Sequence, residues 1–264
     1  MIKEFWKYEG AGNDFVLLDL RDTNFEPTAE QINKICDRRR GVGADGLMIL
    51  AGSQKADFAM RYFNADGPEA TMCGNGGRCI AWFADMLGIG GDSKLFEAID
   101  GLHTAEILDR RGESATVRLQ MVDVERVEVL PDGDVLLDTG SPHLVRFVEN
   151  LDLNVCGVGR ELRYGAKTAA TGGANINFVK IEGEGRVAIR TYERGVEDET
   201  LACGTGATAA ALALHHTRQP EMRHCDLAAL GGALAVDFEA HEGGYSSIRL
   251  TGPARRVFHG EWKF

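Results

Sequence analysis

Proline and cysteine are both scarce in this chain, with six of each in 264 residues. The cysteines, at positions 36, 73, 79, 156, 203 and 225, are too few for a disulfide scaffold at this length, and none pair as Cys-x-x-Cys, the spacing of structural zinc. No metal site is therefore expected, and reduced thiols in a cytoplasm are. Apolar runs of bilayer-spanning length are missing, and Met1-Ile2-Lys3-Glu4-Phe5-Trp6 lacks the apolar stretch of a signal peptide. On this reading the protein is cytoplasmic, with no membrane partner. Positive charge is in deficit, and a net charge of −11 argues against nucleic acid as a partner. No low-complexity linker divides the chain, which is long enough for one large domain or two smaller ones, and the boundary is placed near 120–124.

What is present is a repetition. Met72-Cys73-Gly74-Asn75-Gly76-Gly77 and Ala202-Cys203-Gly204-Thr205-Gly206-Ala207 place their cysteines 130 positions apart, close to half the chain. Arg61-Tyr62-Phe63-Asn64 precedes the first copy much as Arg190-Thr191-Tyr192-Glu193 precedes the second, and Gly12-Asn13 is echoed by Gly140-Ser141. An internal duplication is the simplest reading. Each Cys-Gly-x-Gly leads into a proline-free stretch, so each cysteine is expected at a helix N-terminus. There, unpaired backbone N–H groups and the helix dipole favour a thiolate. Two such thiols facing each other across a cleft suit the removal of a proton from one side of a carbon and its return from the other. Cys36, Cys79, Cys156 and Cys225 have no such setting and are expected to pack.

The hydrophobic patterning predicts a buried strand at 15–18 and a helix over 29–38 with Thr28 as N-cap, then strands at 47–50 and 58–63. Ile80, Phe83, Met86 and Leu87 recur at helical spacing within 76–87. Strand-like runs follow at 103–108, 115–121, 124–130 and 135–138, and in the second half at 175–181 and 187–192. The helix over 206–215 has hardly a polar side chain and is expected to be wholly buried. Each half thus reads as several strands wrapped around one central helix.

Two stretches match dinucleotide fingerprints, Gly41-Val42-Gly43-Ala44-Asp45-Gly46 and Gly204-Thr205-Gly206-Ala207-Thr208-Ala209. The first follows charged residues and the second a charged loop, where a nucleotide fold needs a strand feeding directly into the helix, so no cofactor is expected. A helix N-terminus binds phosphate or carboxylate alike, but a phosphate cradle has no use for a thiol. His143, after a turn-like Thr139-Gly140-Ser141, reads either as structural or as a group approaching a cleft. Glu193-Arg194 is either a surface ion pair or a carboxylate and a guanidinium for an amino acid's two charges. Asn13, Asn64 and Asn175 are equally compatible with turns.

Taken together, Gly10–Val16, Phe63–Gly67, Cys73–Cys79, Pro142-His143, Asn175–Phe178, Glu193–Gly195 and Cys203–Gly206 make the sequence resemble the diaminopimelate epimerases, amino-acid epimerases of lysine and peptidoglycan precursor synthesis that use no pyridoxal phosphate. The resemblance implies an α/β (α+β) fold of two pseudo-symmetric domains, each a curved, mainly antiparallel sheet around a central helix. These would cover 1–121 and 122–256, with a last strand at about 257–264 returning to the first domain. An active site between the domains and a homodimer are implied as well.

In this family Cys73 and Cys203 would be the two bases, one thiolate and one thiol. Gly74, Asn75, Gly204 and Thr205 would hold the reacting α-carboxylate, and Glu193 the reacting ammonium. His143 and Glu193 would tune the cysteine pKa values, while Asn64, Asn175 and Arg194, with Asn13, would grip the distal amino-acid group. Ser141 stands where the family commonly has asparagine, the 194–203 loop is one residue longer than the commonest form, and Gly46 replaces a polar residue of some members.

Proline racemases and hydroxyproline epimerases share the two-cysteine logic but have little reason to keep the distal clamp. Phenazine-biosynthesis isomerases lack the cysteine pair. A redox-sensing or ligand-binding protein with a reversible Cys73–Cys203 disulfide is the reading from another class.

Overall fold

In the computed structural model, which describes residues 1–264, the chain starts with an antiparallel hairpin of β1 (Ile2–Gly10) and β2 (Asn13–Asp19). Ala11 and Gly12 between them have φ of 53° and 87°, the two positive values that a type I′ turn requires. The helix α1 (Ala29–Cys36) opens on Thr28: its hydroxyl accepts from Gln31 N while Gln31 Oε1 accepts from Thr28 N, a complete capping box. This helix is the crossover to β3 (Gly46–Ala51), which lies parallel to β2. Next come β4 (Phe58–Asn64), antiparallel to β3, and the short β5 (Glu69–Ala70). A second crossover helix, α2 (Gly74–Met86), leads to β6 (Ser93–Ala98), parallel to β4. The antiparallel β7 (Gly101–Arg111) and β8 (Ser114–Gln120) follow.

After β9 (Val127–Val129) the same order starts again. β10 (Val135–Asp138) and β11 (Pro142–Phe147) are antiparallel, and α3 (Val155–Arg163) crosses to β12 (Asn175–Gly183), parallel to β11. β13 (Arg186–Glu193) and the short β14 (Asp198–Thr200) are antiparallel additions. The helix α4 (Gly204–Thr217) then crosses to β15 (His224–Ala229), parallel to β13, and β16 (Gly232–His241) and β17 (Gly244–Lys263) complete the run. The duplication read from two hexapeptides therefore extends to the direction of every strand pair. It holds in two units, 1–119 with 252–264, and 120–251. In the first unit, residues 252–263 of β17 pair with both β8 and β1 and close the sheet on itself.

Each unit sandwiches its sheet between two helices. On one side of the first unit, Ile32, Ile35 and Cys36 of α1 pack on Val16, Leu18, Leu47 and Ile49. On the other, α2 is buried from Gly74 to Ala84, with the Phe83 ring 5.0 Å from Trp6 and 5.6 Å from Tyr8. Covered on both faces, β2 and β3 read as unbroken apolar runs rather than alternating ones. In the second unit Val155, Val158 and Leu162 of α3 pack on Leu144, Ile176, Phe178 and Tyr192, and α4 is buried at nearly every position from Gly204 to His215. The fold class is thus the one expected, two similar α/β domains of mainly antiparallel sheet with a central helix each. No helix is long and apolar enough to cross a membrane.

Candidate active site

Both Cys-Gly-x-Gly segments start helices, and in both the cysteine is the N-cap, with extended backbone (φ −105° at Cys73, −117° at Cys203). The sulfurs are held differently. Cys73 Sγ accepts a hydrogen bond from Gly76 N at 3.2 Å, the reach of an N-cap side chain to the third helical amide. Behind this turn lies Arg78, with no exposed surface. Its guanidinium donates to Gly74 O at 3.1 Å, Asn75 Oδ1 at 2.8 Å and Pro253 O at 3.3 Å, so one planar fork fixes the first turn of α2 against β17. Burial disfavours the Arg78 charge, and the nearby Cys79, Cys73 and Glu9 act in the opposite direction.

At the second cysteine a hydroxyl lies within reach: Cys203 Sγ and Thr205 Oγ1 are 3.4 Å apart. Thr205 Oγ1 also lies 3.4 Å from Ser141 Oγ, which is 3.0 Å from His143 Nε2 and 3.2 Å from Asn175 Nδ2. His143 Nδ1 meets Asn177 Nδ2 at 3.1 Å. The parallel pairing of β11 with β12 makes this assembly, because it sets His143 opposite Asn175 and puts Asn177 two residues on, on the same face. Burial, and secondarily the Arg194 charge, push the His143 pKa from its ordinary 6.5 down to about 3.

This buried imidazole has a consequence for stability. Its unfolded form takes up a proton near pH 6.5 and its folded form only near 3, so the contribution is full above 6.5 and is lost as pH falls through that window. Urea unfolding is expected to show a loss of about 1 kcal/mol per pH unit there that His143→Gln lacks. Equal slopes in the two proteins would contradict it.

The second glycine of each segment answers a close approach. A Cβ on Gly206 would lie 2.4 Å from Asn177 Oδ1 and 3.2 Å from Cys203 Cβ, and one on Gly76 would lie 2.2 Å from Met48 Cε and 3.0 Å from Cys73 Sγ. The two cases differ in what can yield. Met48 can swing its flexible end away, whereas Asn177 is held by Thr191 at 3.0 Å and by Leu144 O at 3.2 Å. Gly206→Ala is expected to cost about 1–3 kcal/mol in urea unfolding, and Gly76→Ala clearly less, since alanine also favours the helix by about 1 kcal/mol. A larger loss for Gly76→Ala would refute this ranking.

Glu193 ends β13 and accepts from Thr200 Oγ1 at 2.8 Å. Arg194 N donates to Asn175 Oδ1 at 2.8 Å and its guanidinium reaches Gly173 O at 3.4 Å. The second unit therefore gathers His143, Asn175, Arg194, Cys203 and Thr205 into one connected group. In the first unit Asn13 leaves the hairpin turn to bond Asp45, and Asn64 sits opposite Gly46 at the end of β4, so both asparagines border the Asp45-Gly46 corner. Gly46 itself has no room for a side chain, since a Cβ would lie 2.4 Å from Phe63 O.

Two participants, Arg78 and Asn177, are not singled out by the sequence, although Asn177 stands at strand spacing from Asn175, and Ser141 is marked there only as a departure from the family pattern. Of the four cysteines expected to pack, Cys36, Cys79 and Cys225 do, and burial pushes the Cys36 and Cys225 thiols up to about 12. Cys156 does not: it is exposed on α3 and its thiol donates to Asp198 at 2.8 Å. A groove of about 710 Å³ in the second unit, lined by Leu136, Leu137, Pro142 and Lys167 among others, reaches His143 but neither cysteine.

Two repeated α/β units, each built around a central helix, place the chain in a fold class that solved structures of low sequence identity share. A phenazine biosynthesis protein of the PhzF family from Bacillus anthracis superimposes with a TM-score of 0.79 over all of both chains at 16% identity. A hydroxyproline epimerase from Agrobacterium vitis gives 0.70 over 98% of this chain and 92% of its own, also at 16%. At sequence level the diaminopimelate epimerase family model matches residues 5–127 and 135–257. The diaminopimelate epimerase of Flavobacterium psychrophilum is 46% identical over 97% of this chain and 98% of its own length. The chain belongs to the diaminopimelate epimerase family.

Proposed function

We propose that this protein interconverts LL- and meso-2,6-diaminopimelate by moving one Cα proton without a cofactor. The observation that carries the proposal is the pair Cys73 and Cys203, each the N-cap of a central helix at the same point of a repeated fold. The thiolate of one cysteine takes the Cα proton and becomes a thiol, while the thiol of the other gives its proton to the opposite face of the carbon and becomes the thiolate. The net charge of the pair is unchanged and the roles are exchanged for the reverse reaction.

A Cα–H of an amino acid is very weakly acidic, so the carbanion needs support as it forms. The backbone amides at Gly74, Asn75, Gly204 and Thr205 are the donors for the α-carboxylate, helped by the positive ends of α2 and α4. Glu193 takes the reacting ammonium. Asn13, Asn64, Asn175 and Arg194 take the distal amino-acid group, where unpaired polar groups would penalise a substrate without one. The neutral His143 influences Cys203 through hydrogen bonds rather than charge. In this reading the enzyme works in the cytoplasm as a homodimer.

The test is deuterium incorporation at Cα in D₂O with LL-diaminopimelate, run beside L-proline and trans-4-hydroxy-L-proline. Exchange with formation of the meso isomer from diaminopimelate alone supports the proposal. Exchange only with the proline compounds would overturn the substrate, and no exchange would overturn the reaction.

A further inference from the structure

The hydrogen bonds around Cys203 have a determinable direction, set by an atom that can only accept. The Leu144 carbonyl faces one end of the Asn177 amide at 3.2 Å, and this end must therefore be the nitrogen. The oxygen at the other end accepts from Thr191 Oγ1 at 3.0 Å. The same Asn177 nitrogen lies 3.1 Å from His143 Nδ1, so Nδ1 accepts and the single proton of the neutral imidazole sits on Nε2. Nε2 then donates to Ser141 Oγ at 3.0 Å, and Asn175 Nδ2 donates to the same oxygen at 3.2 Å. With both lone pairs occupied, the Ser141 hydroxyl has only its hydrogen left to use, and Thr205 Oγ1 at 3.4 Å receives it. Thr205, accepting on one side, turns its own hydrogen to Cys203 Sγ at 3.4 Å.

We infer that Ser141 and Asn177 are positioning residues for the reaction, aligning a one-way chain of hydrogen bonds, Asn177 to His143 to Ser141 to Thr205, that ends as a donor on the Cys203 sulfur and favours its thiolate. The inference rests on the two-base reading above and names the device that biases one of the two bases. No proton moves along the chain; each donor keeps its hydrogen, and a hydrogen bond to sulfur is worth more to the anion than to the thiol. His143 stays neutral across the working range, so the direction does not reverse near neutral pH. Arg194 is the charged group acting on this imidazole and keeps it neutral further. Cys73 Sγ, at the matching place in the other unit, accepts from the backbone amide of Gly76.

The experiment follows alkylation of Cys203 by iodoacetamide against pH, read by peptide mass spectrometry in a Cys73→Ser background, while substrate exchange is measured separately in the protein with both cysteines. Ser141→Ala and Thr205→Val are each expected to raise the Cys203 midpoint by about one pH unit, a tenfold loss of thiolate near neutrality. The double variant should show no further shift, because the two groups act in series. Ser141→Thr, which keeps the hydroxyl, should restore the midpoint. An unshifted midpoint in Ser141→Ala, or additive shifts, would overturn the inference even if diaminopimelate exchange is intact. A second readout needs no variant: ¹⁵N chemical shifts of His143 in the unmodified protein should report the Nε2–H tautomer, and finding Nδ1–H would reverse the chain and refute it.

Discussion

Cys73→Ser and Cys203→Ser are each expected to lower epimerisation by about 10²–10⁴-fold, the range associated with losing a positioned acid or base. A serine hydroxyl keeps the geometry but cannot ionise at neutral pH. At Cys73 the substitution separates chemistry from folding, because serine is a better N-cap than cysteine for the Gly76 amide that the sulfur now engages at 3.2 Å. Thermal melting of Cys73→Ser should therefore be unchanged or raised while proton exchange at Cα collapses. Cys156→Ser, on the exposed face of α3, serves as the control and should keep the full rate. Near-normal exchange in either serine variant at the helix starts would remove that cysteine from the mechanism.

Arg78→Leu is expected to cost about 3–5 kcal/mol of stability. Leucine fills part of the space but removes the Arg78 hydrogen bonds to Gly74 O, Asn75 Oδ1 and Pro253 O, in a place with no exposed surface. Arg78→Lys should fail to rescue most of this, since one ammonium cannot present the fork that reaches a helix turn, a side-chain amide and a strand carbonyl together. Urea unfolding measures both. A loss below about 1 kcal/mol would mean that the first turn of α2 holds itself, contrary to the bonding described.

What the sequence disclosed and what it hid follow from physical signals. Thr28 as N-cap announced α1, and the apolar stretches at 15–18 and 47–50 announced strands. α4 was legible because it has almost no polar residue to place outside. α3 was not, since Gly157 and Gly159 within it are weak helix formers. The structure explains the second, where a Cβ would lie 2.5 Å from Tyr192 Cβ, so the glycine lets the helix approach β13. β16 escaped notice although Leu234, Val236 and Phe238 alternate inward, a signal diluted by Ala233 before, Ala235 between and Glu239 after them.

In the site, a residue's type could be read but not its partner. His143 looked like a lone histidine because Asn177, which sets its tautomer, is 34 positions away in sequence and adjacent only through a parallel strand pair. Arg78 looked like an ordinary charged residue of a helix start. Nothing in its local spelling says that Pro253, 175 positions on, is its acceptor.

The pairing of residues 252–263 with β1 and β8 fixes an order of events during synthesis. Residues 1–119 are translated before 120–251, yet the last strand of their sheet comes only after it. The later-made unit is therefore complete first, and the earlier-made one waits with the edges of β1 and β8 unpaired. Such edges are templates for pairing with other chains. Aggregation of nascent or truncated chains should accordingly start at Ile2–Gly10 and Ser114–Gln120, and a separately supplied 252–263 peptide is the natural agent to cap both.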